Sequence, residues 1–153
     1  STSGLMVLAH TPDAHRALSR QFQQRRVNKT YEAIVTGTVA NDEGDMTWPL
    51  RKDMDRPPRH LVDPVQGKPA VTHYRVLQRE TDRTRLALTP LTGRSHQLRV
   101  HLLALGHPIL GDDLYAPPAV RDQSDRLLLH ATGLGFVHPS DHRPIRFDDP
   151  APF

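Results

Sequence analysis

The sequence predicts an α+β domain: a mostly antiparallel mixed sheet with flanking helices and loops. Two observations carry this. Segments rich in β-formers alternate apolar and polar residues and follow one another as hairpins. Helical spacing occurs in only two places, residues 12–25 and the stretch leading into Gly106. The 153 residues suffice for one hydrophobic core. No internal repeat, linker or second domain is visible, so residues 1–153 are expected to form one domain.

Gly4-Leu5-Met6-Val7-Leu8-Ala9 is a continuous apolar run and reads as a buried strand. Thr11-Pro12-Asp13 then supplies a capping hydroxyl, a proline for the first helical position and an acid for the first turn. Ala14, Ala17, Leu18 and Phe22 follow at helical spacing, which predicts an amphipathic helix over 12–25. Its polar face carries Arg16, Arg20, Arg25 and Arg26, either a solvated face or a ridge turned to phosphates. Lys29 to Gly37 is a strand by composition and alternation, with Lys29, Tyr31, Ala33 and Val35 on one face. Residues 41–69 hold the turn signals Pro57-Pro58, Asp63-Pro64 and Gly67-Lys68-Pro69, with Met46 to Leu50 as an edge strand. Val71 to Leu77 and Arg85 to Thr89 form a hairpin around Asp82-Arg83. Leu127 to Ala131 enters the core, Leu134 to Val137 continues as a strand, and Ile145-Arg146-Phe147 returns after the turn at Pro139-Ser140-Asp141.

Composition excludes several classes of function. There is no cysteine, so disulfides, thiol nucleophiles and thiolate metal sites are ruled out. No apolar run approaches the roughly 20 residues of a membrane span, and no signal peptide is visible in Ser1-Thr2-Ser3-Gly4. The first residue is not Met, so a fragment or processed form of a cytoplasmic protein is expected. The ten histidines include no H-E-x-x-H pair, and no metal is expected. No phosphate-binding glycine loop occurs, so no cofactor is expected either. The net charge of +3 is a mild bias, but seventeen of the twenty basic residues are arginine. Arginine suits bidentate phosphate contacts and stacking on bases; a lineage preference for arginine gives the same count.

The most informative segment is Leu91-Thr92-Gly93-Arg94-Ser95-His96-Gln97-Leu98-Arg99-Val100-His101, followed by an apolar run and Gly106-His107-Pro108. It reads as a short helix with a charged head, stopped by Gly106 at C′ and by Pro108 beyond it. Such a helix can bury Leu98, Leu102 and Leu105 while its first turn offers donors to an anion. Ser95 reads as an N-cap or early helix residue, since G-R-S-H-Q is not a G-x-S-x-G elbow. Arg99 lies between Leu98 and Val100. A guanidinium in an apolar setting needs an anionic partner, a carboxylate or a phosphate, unless it is only a half-exposed surface ion pair.

Six segments together resemble the RluA family of RNA pseudouridine synthases. They are Thr2-Ser3-Gly4; Lys29-Thr30-Tyr31-Glu32-Ala33; Gly67-Lys68-Pro69-Ala70-Val71-Thr72; Pro90 to His101; Gly106-His107-Pro108-Ile109-Leu110-Gly111-Asp112 with Tyr115; and Leu129-His130-Ala131 with His138-Pro139. They run in order over nearly the whole chain. The resemblance implies the synthase fold and a cofactor-free conversion of uridine to pseudouridine through an aspartate. That family places the aspartate in H-R-L-D-x-x-T-S-G. Here Ser1 is the last variable position, so the aspartate is expected two positions ahead of it, and no Asp of this chain replaces it by motif.

Carried over residue by residue, the resemblance gives Arg99 as the partner of that carboxylate and Tyr31 as the phenol against the uracil. Lys29, Arg94, His96 and Gln97 become contacts to RNA, the expected partner, with stem-loops of ribosomal or transfer RNA as substrates of a monomer. The rival is a module of the same fold that binds RNA and has lost the reaction. A protein-interaction domain without affinity for RNA is a third reading.

Overall fold

The computed structural model describes residues 1–153. In chain order its elements are β1 (Ser3–Gly4), α1 (Pro12–Gln23), β2 (Asn28–Thr36), β3 (Glu43–Met46), β4 (Leu50–Lys52), β5 (His60–Val62), β6 (Thr72–Arg79) and β7 (Arg83–Pro90). There follow α2 (Gln97–Ala104), α3 (Pro118–Arg121), β8 (Leu129–Val137) and β9 (Pro144–Asp148). Seven strands form one sheet in the order β1-β8-β2-β7-β6-β3, with β9 also on β8; β4 and β5 make a separate hairpin. Every pairing in the large sheet is antiparallel except β1 with β8. This is the predicted α+β architecture.

Alternation sets the faces. Ala33 and Val35 of β2, Leu86 and Leu88 of β7 and Tyr74 of β6 point into one core, where Leu102, Ile109 and Leu110 meet them. Removing a side chain such as Leu102 from such a core costs about 2–5 kcal/mol. α1 is capped as predicted: the Thr11 hydroxyl accepts the N–H of Ala14, at 3.1 Å. It packs only lightly, since Leu18 is its one buried residue. Gly106, at φ 90, ends α2 as expected.

Three expectations are corrected. Gly4 to Ala9 is not a buried strand: only Ser3–Gly4 pairs, and Met6 and Leu8 are 79% and 72% exposed. The run does not continue pairing beyond β1, so it is only half covered: Leu5, Val7 and Ala9 are partly buried while Met6 and Leu8 face out. The edge strand is Glu43–Met46, not Met46 to Leu50, because Trp48-Pro49 leaves the sheet and Leu50 begins the small hairpin. Ser95 does not cap α2. The cap position is His96, in the left-handed region at φ 55, and no side chain bonds the first turn. α3, a single turn, was not among the two expected helices.

β1 lies so close to β8 that only glycine fits at position 4. A Cβ there would sit 2.2 Å from the carbonyl oxygen of Ala131, and the backbone has φ +106. Gly4→Ala is therefore expected to destabilise the fold by about 2 kcal/mol or more. A thermal melt checks this; an unchanged midpoint contradicts the packing described.

Candidate active site

α2 is buried on all sides of its first turn and a half: Gln97, Leu98, Arg99, Val100, His101 and Leu102 are all buried. Its polar side chains must therefore find partners inside the protein. Arg99 is 9% exposed and is held side-on by Asp112, with Nε to Oδ2 at 3.0 Å and Nη2 to Oδ1 at 2.5 Å. Nη2 also reaches Asp113, at 3.4 Å. Asp112 is fully buried, and its Oδ1 accepts the backbone N–H groups of Leu114 and Tyr115 as well. The surface-pair reading of Arg99 is thus excluded. Burial works against the guanidinium's charge, but the bond and charge of Asp112, with Tyr115 and Asp113, outweigh it and hold Arg99 more firmly protonated. Nη1 makes no hydrogen bond within the protein.

Tyr115 ties this pair to the small hairpin. The Arg99 guanidinium stands 5.2 Å from its ring centre. Its hydroxyl accepts the His60 N–H at 2.9 Å and shares a hydrogen bond with Nδ1 of His96 at 2.6 Å, in the direction the imidazole tautomer sets. Burial, followed by the charge of Arg99 and by His60, pushes the pKa of His96 down.

Behind the helix lies a polar chain. His101 Nε2 donates to the Trp48 carbonyl, Thr72 donates to His101 Nδ1, and Gln97 donates to Thr72, each at 2.9 Å. Gln97 also donates to the Val71 carbonyl and accepts from the Thr92 hydroxyl and the Arg94 N–H. All four hydrogen-bonding positions of its amide are used inside the fold. The expected RNA contact from Gln97 is therefore corrected: this side chain shapes the loop before α2 and has nothing left to offer a ligand.

A cavity of about 670 Å³ opens beside α2. Arg99, His96 and Arg94 line it from one side, Lys29 and Tyr31 of β2 from another, and Ser1 to Val7 from a third. The structure thus brings the sequence-predicted residues Tyr31, Arg99, Lys29, Arg94 and His96 to one place, and Gln97 also touches the cavity wall although its amide is fully engaged within the fold. No carboxylate lines it. Tyr31 is half-buried, its hydroxyl has no protein partner, and burial raises its pKa, so the phenol is protonated at neutral pH. Lys29 has no acidic partner; its ammonium lies 5.3 Å from the Phe22 ring centre, and burial lowers its pKa. Arg94 anchors Nε on the Pro69 carbonyl, at 2.9 Å, leaving its terminal nitrogens free.

Two further residues fix the cavity's N-terminal wall. His130, 4% exposed, donates from Nε2 to the Asp149 carbonyl and accepts the Ser3 hydroxyl at Nδ1, at 2.7 Å; Arg126 also donates to Ser3. The motif Leu129-His130-Ala131 carried His130 without a role. Asp112 likewise stood in a motif, with nothing to mark it as the partner of Arg99.

The sequence profile described as RNA pseudouridylate synthase matches residues 1–104. The dual-specificity RNA pseudouridine synthase RluA of Pasteurella multocida is 49% identical over 154 aligned residues, covering 100% of this chain and 70% of that protein. RluA of Escherichia coli K12 is 48% identical with the same coverage. Among solved structures, human RNA pseudouridylate synthase domain-containing protein 1 superimposes with a TM-score of 0.82 at 33% identity, over 95% of this chain and 63% of that one.

Two outcomes follow from the geometry. Asp112→Asn leaves a buried guanidinium without its counter-charge and should destabilise by about 3 kcal/mol or more, read by denaturant unfolding; loss of under about 0.5 kcal/mol, the range of surface substitutions, contradicts the pairing. His60, His96 and His101 all have pKa values pushed below 6.5, burial being the first cause in each. Below that pH the unfolded chain binds protons that the folded chain refuses, so folding weakens as pH falls. The thermal midpoint should drop between pH 7.5 and pH 5.5, well before carboxylates such as Asp63, with its pKa near about 2, are affected. A flat or rising midpoint contradicts this.

Proposed function

Because the chain belongs to the RluA family of RNA pseudouridine synthases, we propose that residues 1–153 are the catalytic domain, with Arg99 and Tyr31 as its reacting-site side chains. One observation carries the assignment: Arg99, Tyr31 and the Ser1–Gly4 segment line a single cavity. The family motif puts its aspartate two positions ahead of Ser1. A carboxylate arriving from that side would meet the free Nη1 edge of Arg99. The guanidinium would keep it ionised and aimed, as a nucleophile requires.

The reaction breaks the bond between N1 of uracil and the ribose carbon and makes a bond from C5 to that same carbon. The hydrogen on C5 leaves, and N1 gains a proton, so nothing is consumed and no cofactor is needed. We assign the proton transfer to Tyr31, a protonated phenol without a protein partner: it would give its proton toward N1 as the glycosidic bond breaks and, as phenolate, take the hydrogen from C5, ending as it began. The target nucleotide must be turned out of its stack to enter the cavity, at a cost of a few kcal/mol. Lys29, Arg94 and the ring of His96 are the groups we assign to the RNA backbone. Stem-loops of ribosomal and transfer RNA are the substrates we assign, because unstacked loop bases splay most readily and because relatives bear a dual-specificity name. A monomer suffices, as every assigned residue lies in one chain, and a cytoplasmic site matches these RNAs.

The rival reading, an RNA-binding module without turnover, differs in one measurable way. Mapping new pseudouridines in ribosomal and transfer RNA after incubation with the full-length protein should show conversion at discrete uridines. Arg99→Ala should abolish it, and Tyr31→Phe should slow it by about 10²-fold or more, with RNA still bound. Binding without any conversion by the wild type would favour the module; wild-type conversion by either variant would overturn that residue's role.

A further inference from the structure

A second cavity, of about 640 Å³, adjoins the first, and the two share Phe22, Lys29, Pro90, Thr92, Gly93 and Arg94 as a common wall. Its far side holds Arg25 and Asn28. Like the first, it has no carboxylate in its lining, although the chain carries seventeen Asp and Glu residues. Three cations, Arg25, Lys29 and Arg94, face a space with no anion of the protein to balance them. None of the three forms a salt bridge, and the Lys29 ammonium is half-buried on the dividing wall with only the Phe22 ring against it. Phe22 itself is 41% exposed, an unusual place for a phenylalanine on a helix with a buried leucine four residues earlier.

We infer that the second cavity seats the nucleotide next to the target uridine, its base on the Phe22 ring and the linking phosphate over the wall on Lys29, with Arg25 and Arg94 on the phosphates beyond. The occupant is a single RNA strand. Charge complementarity selects a polyanion, and an exposed ring beside three cations is the pattern of a stacking platform in a basic groove. A base stacked on phenylalanine is bound through its π-face, so this seat would tolerate any base and register the strand without reading its sequence. The side-chain amide of Asn28, which makes no hydrogen bond within the protein, could reach a base edge. The inference rests on the RNA reading above and adds Phe22 and Arg25 to it.

The test uses the full-length protein and a short single-stranded oligouridylate carrying 5-iodouridine. Irradiation should cross-link the RNA to a peptide containing Phe22. Phe22→Leu should weaken binding about tenfold, as the loss of one stacked base does. Arg25→Gln should make the fall of affinity with salt shallower by about 0.7 in the logarithmic slope, one phosphate contact fewer. Arg25 is exposed and Phe22 partly so, and circular dichroism confirms that each variant folds; if Phe22→Leu does not, the cross-link and Arg25→Gln decide. Salt-dependent binding that both variants retain in full, with cross-links only elsewhere, overturns this inference and leaves the RNA reading standing. No salt-dependent binding by the wild type overturns both.

Discussion

The bond between Arg99 and Asp112 is the constraint on which the site depends. Burying two opposite charges is costly, and they repay it in full only when every lone pair and proton is used. Asp112 is well supplied on its side, taking two donors of the guanidinium and two backbone N–H groups of the turn that follows it, while Nη1 of Arg99 stays unpaired. One carboxylate thereby organises both α2 and the Asp112–Tyr115 turn. The turn delivers Tyr115, whose ring faces the guanidinium and whose hydroxyl joins His96 to the small β4–β5 hairpin. A helix, a turn and a hairpin far apart in sequence are thus held to one another around a single charge pair.

That arrangement leaves a surplus of donors on the cavity side. Asp112 occupies one edge of the guanidinium and stands behind it, outside the cavity lining. Arg99 is charge-compensated enough to remain buried, yet still presents nitrogen to a ligand. Lys29 and Arg94 repeat the theme without any acid at all. A protein that only needed stability would neutralise these groups; keeping them unneutralised beside open space suits an enzyme whose substrate is a polyanion.

Much of this was legible in the sequence. The hairpin of β6 and β7, the Thr11 cap and the Gly106 stop follow from local chemistry, which neighbours cannot easily override. Arg99 between Leu98 and Val100 pointed to a charge needing an anionic partner, with a surface ion pair as the alternative. Its partner was not legible, because Asp112 lies thirteen positions on, beyond the end of the helix, and only the fold brings the two together. The same limit explains Gln97: its place in the family motif suggested contact with RNA, and only the fold shows its amide consumed by Val71, Thr72, Thr92 and Arg94. Met6 and Leu8 failed in the opposite direction, since apolar character promised burial and no element came to cover them.

The most direct test of this account is the turnover of the full-length Asp112→Asn protein, measured as tritium release from C5-labelled uridine in RNA beside its RNA affinity, at a temperature where it stays folded. A guanidinium released from its clamp should lose the nucleophile's alignment: turnover falls about 10²-fold or more, while affinity for RNA changes little. Full turnover from a folded Asp112→Asn protein would contradict the claim that this pair sets the site.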